Sequence, residues 1–383
     1  MVSVPPLDPI PLPATVPWLS FLLGVTFLLH LIPMNLLLGC CFIAPVAGWA
    51  GRGPKGAAYR TLSRQLTTLL PIFMALAVTL GVAPLLFLQV LYGRFFFTSS
   101  ILMGWPWLGV ILLLLAAYPL LYLAARRRDP LREGHPAVVL CAGILLALVA
   151  FLFTNNMTRM LRPGTFGEVY RSDPRGWSLN LSDPTVWPRF LHFCLASVAV
   201  SGFFLCVMAL VRRRAEGEEY ASRIGRLGAS LFIHPTFLQL LVGPWLLLRL
   251  PAPIRSRFLG GTVAETSSLG FGILAALVTL ILVIQAPQRR RPGLALGWAL
   301  GGLLVTLTLM VRVRHLLREA ALAELSEKSV VAPQPLAMAV FAGTLLAALL
   351  LIAWMLREFL ASRGTIPSGG VETRHGRPPG GSD

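Results

Sequence analysis

The chain has 383 residues, of which 56% are hydrophobic and 13% charged, and its mean hydropathy is +0.73. A soluble protein of this length carries far more charge on its surface, so the composition excludes a set of soluble domains. The formal net charge of +17 would suit a nucleic-acid-binding protein, but the positions of the basic residues, described below, indicate a membrane surface instead.

Long uncharged stretches follow one another along the chain. About 20 apolar residues cross the hydrocarbon core of a bilayer, and backbone groups in lipid must pair within their own segment. The sequence therefore predicts an all-α, polytopic membrane bundle of nine helices. The uncharged stretches are 9–51, 65–93, 95–125, 134–158, 190–211, 227–248, 266–288, 292–311 and 329–356.

The predicted elements begin with a Pro-rich outer leader, residues 1–16. The transmembrane bundle occupies residues 17–360, and a Gly, Pro and Ser-rich cytoplasmic tail, residues 361–383, is predicted to be disordered. The nine helices are predicted at about 18–46, 66–92, 103–125, 136–156, 186–211, 227–250, 266–286, 294–316 and 336–357.

The basic residues are unevenly divided between the two sides of the bilayer. If the spans alternate, 20 Lys and Arg residues lie on one side and 13 on the other. The positive-inside rule then predicts an outer N-terminus and an inner C-terminus. Arginine triplets such as 212–214 are expected to anchor the chain to anionic lipid, with no role in binding nucleic acid. We expect a multi-pass protein of the bacterial inner (cytoplasmic) membrane.

Four histidines lie within or at the edges of the predicted spans: His30, His192, His234 and His315. At about 1.5 Å of helical rise per residue, His192 and His315 share an outer level, whereas His30 and His234 share a deeper one. An ionisable residue inside a bilayer indicates a functional site. Two axial imidazoles at each of two depths are typical of a membrane b-type cytochrome, so these four residues are candidate haem iron ligands.

Four arginines lie near the predicted outer pair: Arg189, Arg312, Arg314 and Arg318. Haem propionates need cations near the aqueous edge, which these side chains would supply. The alternative is that the histidines hydrogen-bond neighbouring helices and the arginines anchor the interface. No CxxCH motif is present, so covalently attached haem is not expected.

A weaker candidate is a quinone site near the outer surface. Trp105 and Trp107 begin the predicted third helix, and the outer loop 157–188 carries several arginines. Aromatic rings and guanidinium groups would hold a quinone ring and its oxygens there.

Several segments resemble subunit I of cytochrome bd-type quinol oxidases. FLLGVTFLLHLIPMNLLLG is similar to the first helix of that family, and LAVTLGVAPLLFLQVLYG to its second. FLFTNNMTRMLRPG, followed by LSDPTVWPRFLHFCLASVAVSG, resembles its outer loop and fifth helix. The resemblance implies nine helices with an outer N-terminus. It also implies a haem-ligand position for His30, and for His192 the role of ligand to the low-spin haem nearest the outer surface.

The sequence departs from the family at its oxygen site. No Glu occurs in TSSILMGWPWLG, the seventh span offers no Met to pair with His192, and residues 251–265 are too short for the family's quinol-binding loop. We therefore do not expect this chain alone to reduce oxygen.

The sequence thus predicts a subunit with one or two b-type haems that carries electrons between a membrane quinol or quinone and a periplasmic cytochrome or other redox subunit. It would act as the quinol-oxidising or quinone-reducing part of a complex. The alternative is a redox-inactive anchor subunit or a transporter.

Overall fold

The computed structural model describes residues 10–126, 135–286, 289, 291–323 and 330–362. Its helices are α1 (Val16–Ala50), α2 (Ala57–Leu102), α3 (Gly104–Arg126), α4 (His135–Met160), α5 (Phe166–Ser172), α6 (Val186–Glu216), α7 (Glu218–Arg249), α8 (Ala252–Ser256), α9 (Val263–Gln285), α10 (Pro292–Leu322) and α11 (Pro335–Ser362). A 3-10 turn at Pro163–Thr165 precedes α5, and a π-turn at Arg257–Gly261 follows α8.

Nine of these described helices are long and apolar enough to cross a membrane, namely all except α5 and α8. The predicted fold class, an all-α polytopic bundle, is thereby confirmed. Several helices are longer than predicted, since α2 has 46 residues and α10 continues to Leu322. The apolar run marks only the lipid-embedded part of a helix, whereas the hydrogen-bonded helix continues through charged residues outside it.

The chain divides into two compact units, and α1 to α10 lie in the first. We name the end of this unit where α1 begins and α4 ends the outer end, following the predicted topology. Residues from α1, α2, α4 and α10 cluster there: Leu23, Leu88, Phe95, Phe96, Met160 and Leu322. A larger buried cluster, which includes Cys40, Cys41 and Leu66, is formed by α1, α2, α3, α4, α6 and α7.

Helices α6 and α7 pack with their backbones in close approach. A Cβ added to Gly202 would lie 2.6 Å from the backbone of Leu231, and one added to Gly228 would lie 2.7 Å from the carbonyl oxygen of Gly202. Small residues at such crossings allow transmembrane helices to gain van der Waals contact without a hydrophobic driving force. This contact orients α6, which carries His192.

A buried polar contact joins α1 to α6. Ser197 Oγ donates a hydrogen bond of 2.9 Å to Asn35 Oδ1, and Ser201 Oγ donates one of 3.3 Å to the Asn35 carbonyl oxygen. All three residues are buried. Burial of such groups in a low dielectric is tolerated because they are paired, and the pairing sets the register of α1 against α6.

The second unit consists of residues 11–15 together with 330 onward. The Leu12 amide donates to the Val330 carbonyl oxygen at 2.8 Å, and the Ala332 amide donates to that of Leu12 at 3.0 Å. The extended 11–15 segment therefore pairs with the chain that leads into α11. Residues 1–9 of the predicted leader and 363–383 of the predicted tail lie outside the described residues.

Candidate functional site

His30 is held by a hydrogen bond to α2. Its Nδ1 lies 2.9 Å from the carbonyl oxygen of Ala77, and because a carbonyl can only accept, Nδ1 carries the proton. Gly81 allows this approach, since a Cβ there would lie 2.9 Å from His30 Cε1. Nε2 makes no hydrogen bond to the described residues. An imidazole fixed through Nδ1 with Nε2 unbonded is the usual state of a metal-ligating histidine.

Phe27 connects His30 to a cation on α10. The Phe27 and His30 rings have centroids 6.3 Å apart, and Arg314 Cζ lies 4.4 Å from the Phe27 ring centroid. A guanidinium over an aromatic face is attracted to the ring quadrupole. The positive charge of Arg314 therefore lies within one aromatic ring of His30.

Three basic side chains from two helices form what we name the arginine cluster: Arg189 of α6, and Arg314 and Arg318 of α10. Arg318 is only 7% exposed, and the other two are half-buried. Their charges are close enough to repel one another. The sequence predicted these residues beside the outer histidine pair; in the structure they lie within electrostatic reach of one another.

Neutral side chains contact two of the three arginines of the cluster. Arg189 Nε donates to Thr185 Oγ1 at 3.3 Å, and Arg318 Cζ lies 5.2 Å from the Tyr92 ring centroid. Within the described part of the chain, no ion pair joins the three arginines to a carboxylate.

The carboxylates nearby are engaged with other partners. Asp183 Oδ2 pairs with Arg162 Nε at 2.7 Å. Glu265 Oε1 pairs with Arg257 Nη2 at 2.6 Å and is only 4% exposed. The arginine cluster therefore holds positive charge that these acids do not neutralise with direct contacts, which is costly in a low dielectric unless an anion binds.

Arg312, predicted with the cluster, has a different position. Its side chain is exposed, and its Nε donates a hydrogen bond of 3.0 Å to Ser268 Oγ of α9. It joins α9 to α10 and is not among the three residues of the cluster.

His192 lies one helical turn from Arg189 on α6, on the same face. Its ring makes no hydrogen bond to the described residues, and its Nδ1 is buried. The backbone is held instead, because Gln239 Nε2 of α7 donates to the His192 carbonyl oxygen at 3.3 Å. A buried ring nitrogen without a partner is the kind of exception that calls for a bound group or water.

His315 and His234 differ in their surroundings. His315 Nε2 lies 3.1 Å from Glu319 Oε1, whereas its Nδ1 is buried and unpartnered. His234 is exposed, and its Nδ1 lies 2.8 Å from the Ser230 carbonyl oxygen within α7. The rings of His192 and His315 make no contact in the described structure, and neither do those of His30 and His234. Both pairings stay predictions from depth.

The two predicted quinone-site tryptophans lie in separate contacts. Trp105 is 54% exposed and stacks on Trp177 of the outer loop, with centroids 5.7 Å apart. Trp107 packs against Phe96 and Phe153, with centroid distances of 5.8 and 4.8 Å. Trp105 therefore presents an open aromatic surface at the outer end, whereas Trp107 is part of the packing between α2 and α4.

A small cavity of about 30 Å³ opens between the outer loop and the chain after α7. Arg162, Thr185 and Arg189 supply its polar groups, and Leu250, Ile254 and Leu317 its apolar ones. This space fits about one water molecule. It nevertheless connects the arginine cluster, through Arg189, with the outer surface.

Sequence reasoning missed three residues that surround the site: Phe27, Tyr92 and Glu319. Phe27 precedes His30 by three residues, a spacing that places both on one helix face and that would have indicated the contact. Glu319 lies beyond the predicted end of the eighth helix, at about residue 316. The four-residue spacing of His315 and Glu319 would have indicated their pairing.

Comparison with known proteins supports the fold. No protein-family model matches the sequence, and neither does any curated protein. Among solved structures, the chain is similar to bd oxidase from Geobacillus thermodenitrificans, with a TM-score of 0.69 over 91% of this chain and 98% of that chain, at 13% identity. The resemblance to bd-type oxidases that the sequence indicated is thereby confirmed at the level of the fold.

Proposed function

We propose that this chain is a membrane subunit that binds b-type haem and carries electrons between a membrane quinol or quinone and a periplasmic redox partner. One observation carries the proposal: His30 is fixed through Nδ1 with Nε2 unbonded, and one aromatic ring separates it from the half-buried Arg314, which forms no ion pair with a carboxylate among the described residues. The fold supports it, since the solved structure that this chain resembles is a bd oxidase.

The residues present fit a haem. His30 and His192 are the ligand positions that we propose. Ala77 orients the His30 ring and fixes its tautomer, as an outer-shell partner does for a metal-bound imidazole. The ring nitrogens of His192 have no competing hydrogen bond in the described structure, and Nδ1 is an orphaned buried atom that only a bound group or water can satisfy. When bound, haem supplies reversible one-electron chemistry.

The arginine cluster fits the carboxylates of a haem. Arg189, Arg314 and Arg318 offer guanidinium donors in a water-poor environment, where charge-assisted hydrogen bonds are strongest. Their mutual repulsion would fall when anionic propionates bind. The cluster would thus hold the carboxylates of a haem bound at His30 or His192.

His315 and Glu319 would serve the outer side of the site. The Glu319 carboxylate accepts a hydrogen bond from a protonated His315 Nε2, and its side chain is 47% exposed. This contact occupies Nε2, so the predicted role of His315 as a haem ligand would require that contact to break or Nδ1 to bind instead. His234 is not required by the proposal.

The quinone is proposed at the outer end, where Trp105 and the cavity beside Arg189 lie. The cavity as it stands is smaller than a quinone ring, so binding there requires the chain after α7 to move outward. The periplasmic partner is proposed to dock at the same end, because the stacked Trp105 and Trp177 and the arginine cluster lie there.

A reduced-minus-oxidised absorption spectrum of the purified protein tests the proposal. Protein expressed with an adequate haem supply should show the bands of a b-type cytochrome, and extraction should recover non-covalent haem. A pure, folded protein without these bands would support the alternative, a redox-inactive anchor or transporter. Oxygen consumption by the isolated chain would show that the missing carboxylates are dispensable for oxygen reduction.

A further inference from the structure

A second buried cation lies outside the arginine cluster. Arg159 is in the last turn of α4 and is only 1% exposed. Its Nη2 donates to Ser178 of the outer loop, at 3.1 Å to Oγ and 3.4 Å to the carbonyl oxygen. Its Nε and Nη1 are buried and have no hydrogen-bond partner in the described structure. Two of the three guanidinium nitrogens are thus left without an acceptor in the described structure.

Two side-chain amide groups beside Arg159 also have buried donor atoms without a hydrogen-bond partner in the described structure. Asn155, four residues earlier and fully buried, accepts a 2.6 Å hydrogen bond at Oδ1 from the backbone amide of Asn180. The Nδ2 atoms of Asn155 and Asn180 are buried donors without a partner. Residues four apart on a helix share a face, and the segment 178–180 covers both Asn155 and Arg159. Four unsatisfied donor atoms therefore gather in one place.

Among the described residues, no carboxylate contacts Arg159 to neutralise its positive charge. Asp173 is the acid whose charge acts on it, but the Asp173 carboxylate accepts hydrogen bonds from the backbone amides of Arg175, at 3.2 Å, and Trp177, at 2.8 Å. No ion pair to Arg159 is present in the described part of the chain. An uncompensated buried charge costs several kcal/mol. Water would satisfy the donors without supplying negative charge.

We propose that Arg159, Asn155 and Asn180 form a closed binding site for one small monovalent inorganic anion such as chloride. The anion would accept hydrogen bonds from the four free donors and neutralise Arg159. It would thereby fasten the outer loop at 178–180 to the end of α4. The proposal rests on contacts separate from those of His30 and the arginine cluster, so it does not depend on haem binding.

Thermal unfolding of the purified protein at constant ionic strength tests the site, with chloride replaced stepwise by gluconate. A ligand that binds only the folded state raises Tm with the logarithm of its concentration. The wild type should show this rise. The control variant Arg171→Gln, which removes an exposed arginine of the outer loop, should show it too. Arg159→Gln should lose the dependence. A wild-type Tm independent of chloride, or an unchanged dependence in Arg159→Gln, would overturn the proposal.

A second variant keeps the test sharp if Arg159→Gln does not fold. Asn155→Asp retains the acceptor for the Asn180 amide and places a permanent negative charge beside Arg159. Without chloride, this variant should have a Tm equal to or above that of the wild type. Added chloride should no longer raise its Tm. In crystals grown with bromide, the wild type should show an anomalous peak between Arg159 and Asn155 that Asn155→Asp lacks. A chloride response retained by Asn155→Asp, or no wild-type peak, would contradict the assignment.

Discussion

His30 Nδ1 donates a 2.9 Å hydrogen bond to the carbonyl oxygen of Ala77 on the neighbouring helix. This contact decides which nitrogen of His30 is left to bind a ligand. It also exists only because residue 81, one turn further along α2, is glycine.

Gly81→Ala should disturb haem binding without changing the ligand itself. The added Cβ would lie 2.9 Å from His30 Cε1 and 3.0 Å from Nδ1, so the ring must shift from Ala77. We expect a lower haem content and an altered absorption spectrum in the purified protein. Gly109→Ala is the matched control, because nothing lies within 4 Å of that Cβ. Equal spectra for both variants would show that the His30 position is not critical.

Replacing the two proposed ligands should have separable effects. His192→Ala should remove the haem nearest the outer surface, and His30→Ala should remove the deeper one if two are bound. The haem content by extraction and the reduced-minus-oxidised spectrum measure each loss. His234→Ala is a useful comparison, because His234 is exposed and bonded within its own helix. Loss of all haem in His192→Ala protein that remains folded would argue for a single site.

Arg314→Gln should lower the haem midpoint potential. A positive charge near haem favours the reduced state, and its removal shifts the potential downward, on the order of tens of millivolts. A redox titration followed by absorbance measures the shift. Arg249→Gln removes an exposed arginine at the outer end and should leave the potential nearly unchanged. Equal potentials in the two variants would place Arg314 away from the haem.

Gly202→Ala should destabilise the bundle. The new Cβ would meet the backbone of α7 at 2.6 Å, and overpacking of this kind costs about 1–3 kcal/mol. We expect a lower Tm in detergent and faster proteolysis. Gly243→Ala makes the same change in α7 where nothing lies within 4 Å, and its Tm should stay near that of the wild type. If Gly202→Ala had the same Tm as Gly243→Ala, α6 and α7 would be able to separate at little energetic cost.

The sequence misplaced the ends of several helices for a physical reason. Hydropathy reports where lipid surrounds a helix, and Glu319 lies past that boundary although α10 continues to Leu322. Hydrogen bonding, rather than hydropathy, sets the end of a helix. The inward C-terminus and the outer leader stay predictions.

The membrane class, the nine spans and the candidate residues could be predicted from the sequence, because the cost of placing charge and unpaired backbone groups in lipid is local and can be read from composition. Which of those residues meet depended on the packing of the helices. It placed Arg189 with Arg314 and Arg318, assigned Arg312 to Ser268, gave His30 its partner on α2, and left His234 exposed. Helix rotation about its own axis decides such contacts. That rotation depends on packing between helices distant in sequence, as at Gly202 and Gly228, which no single span encodes.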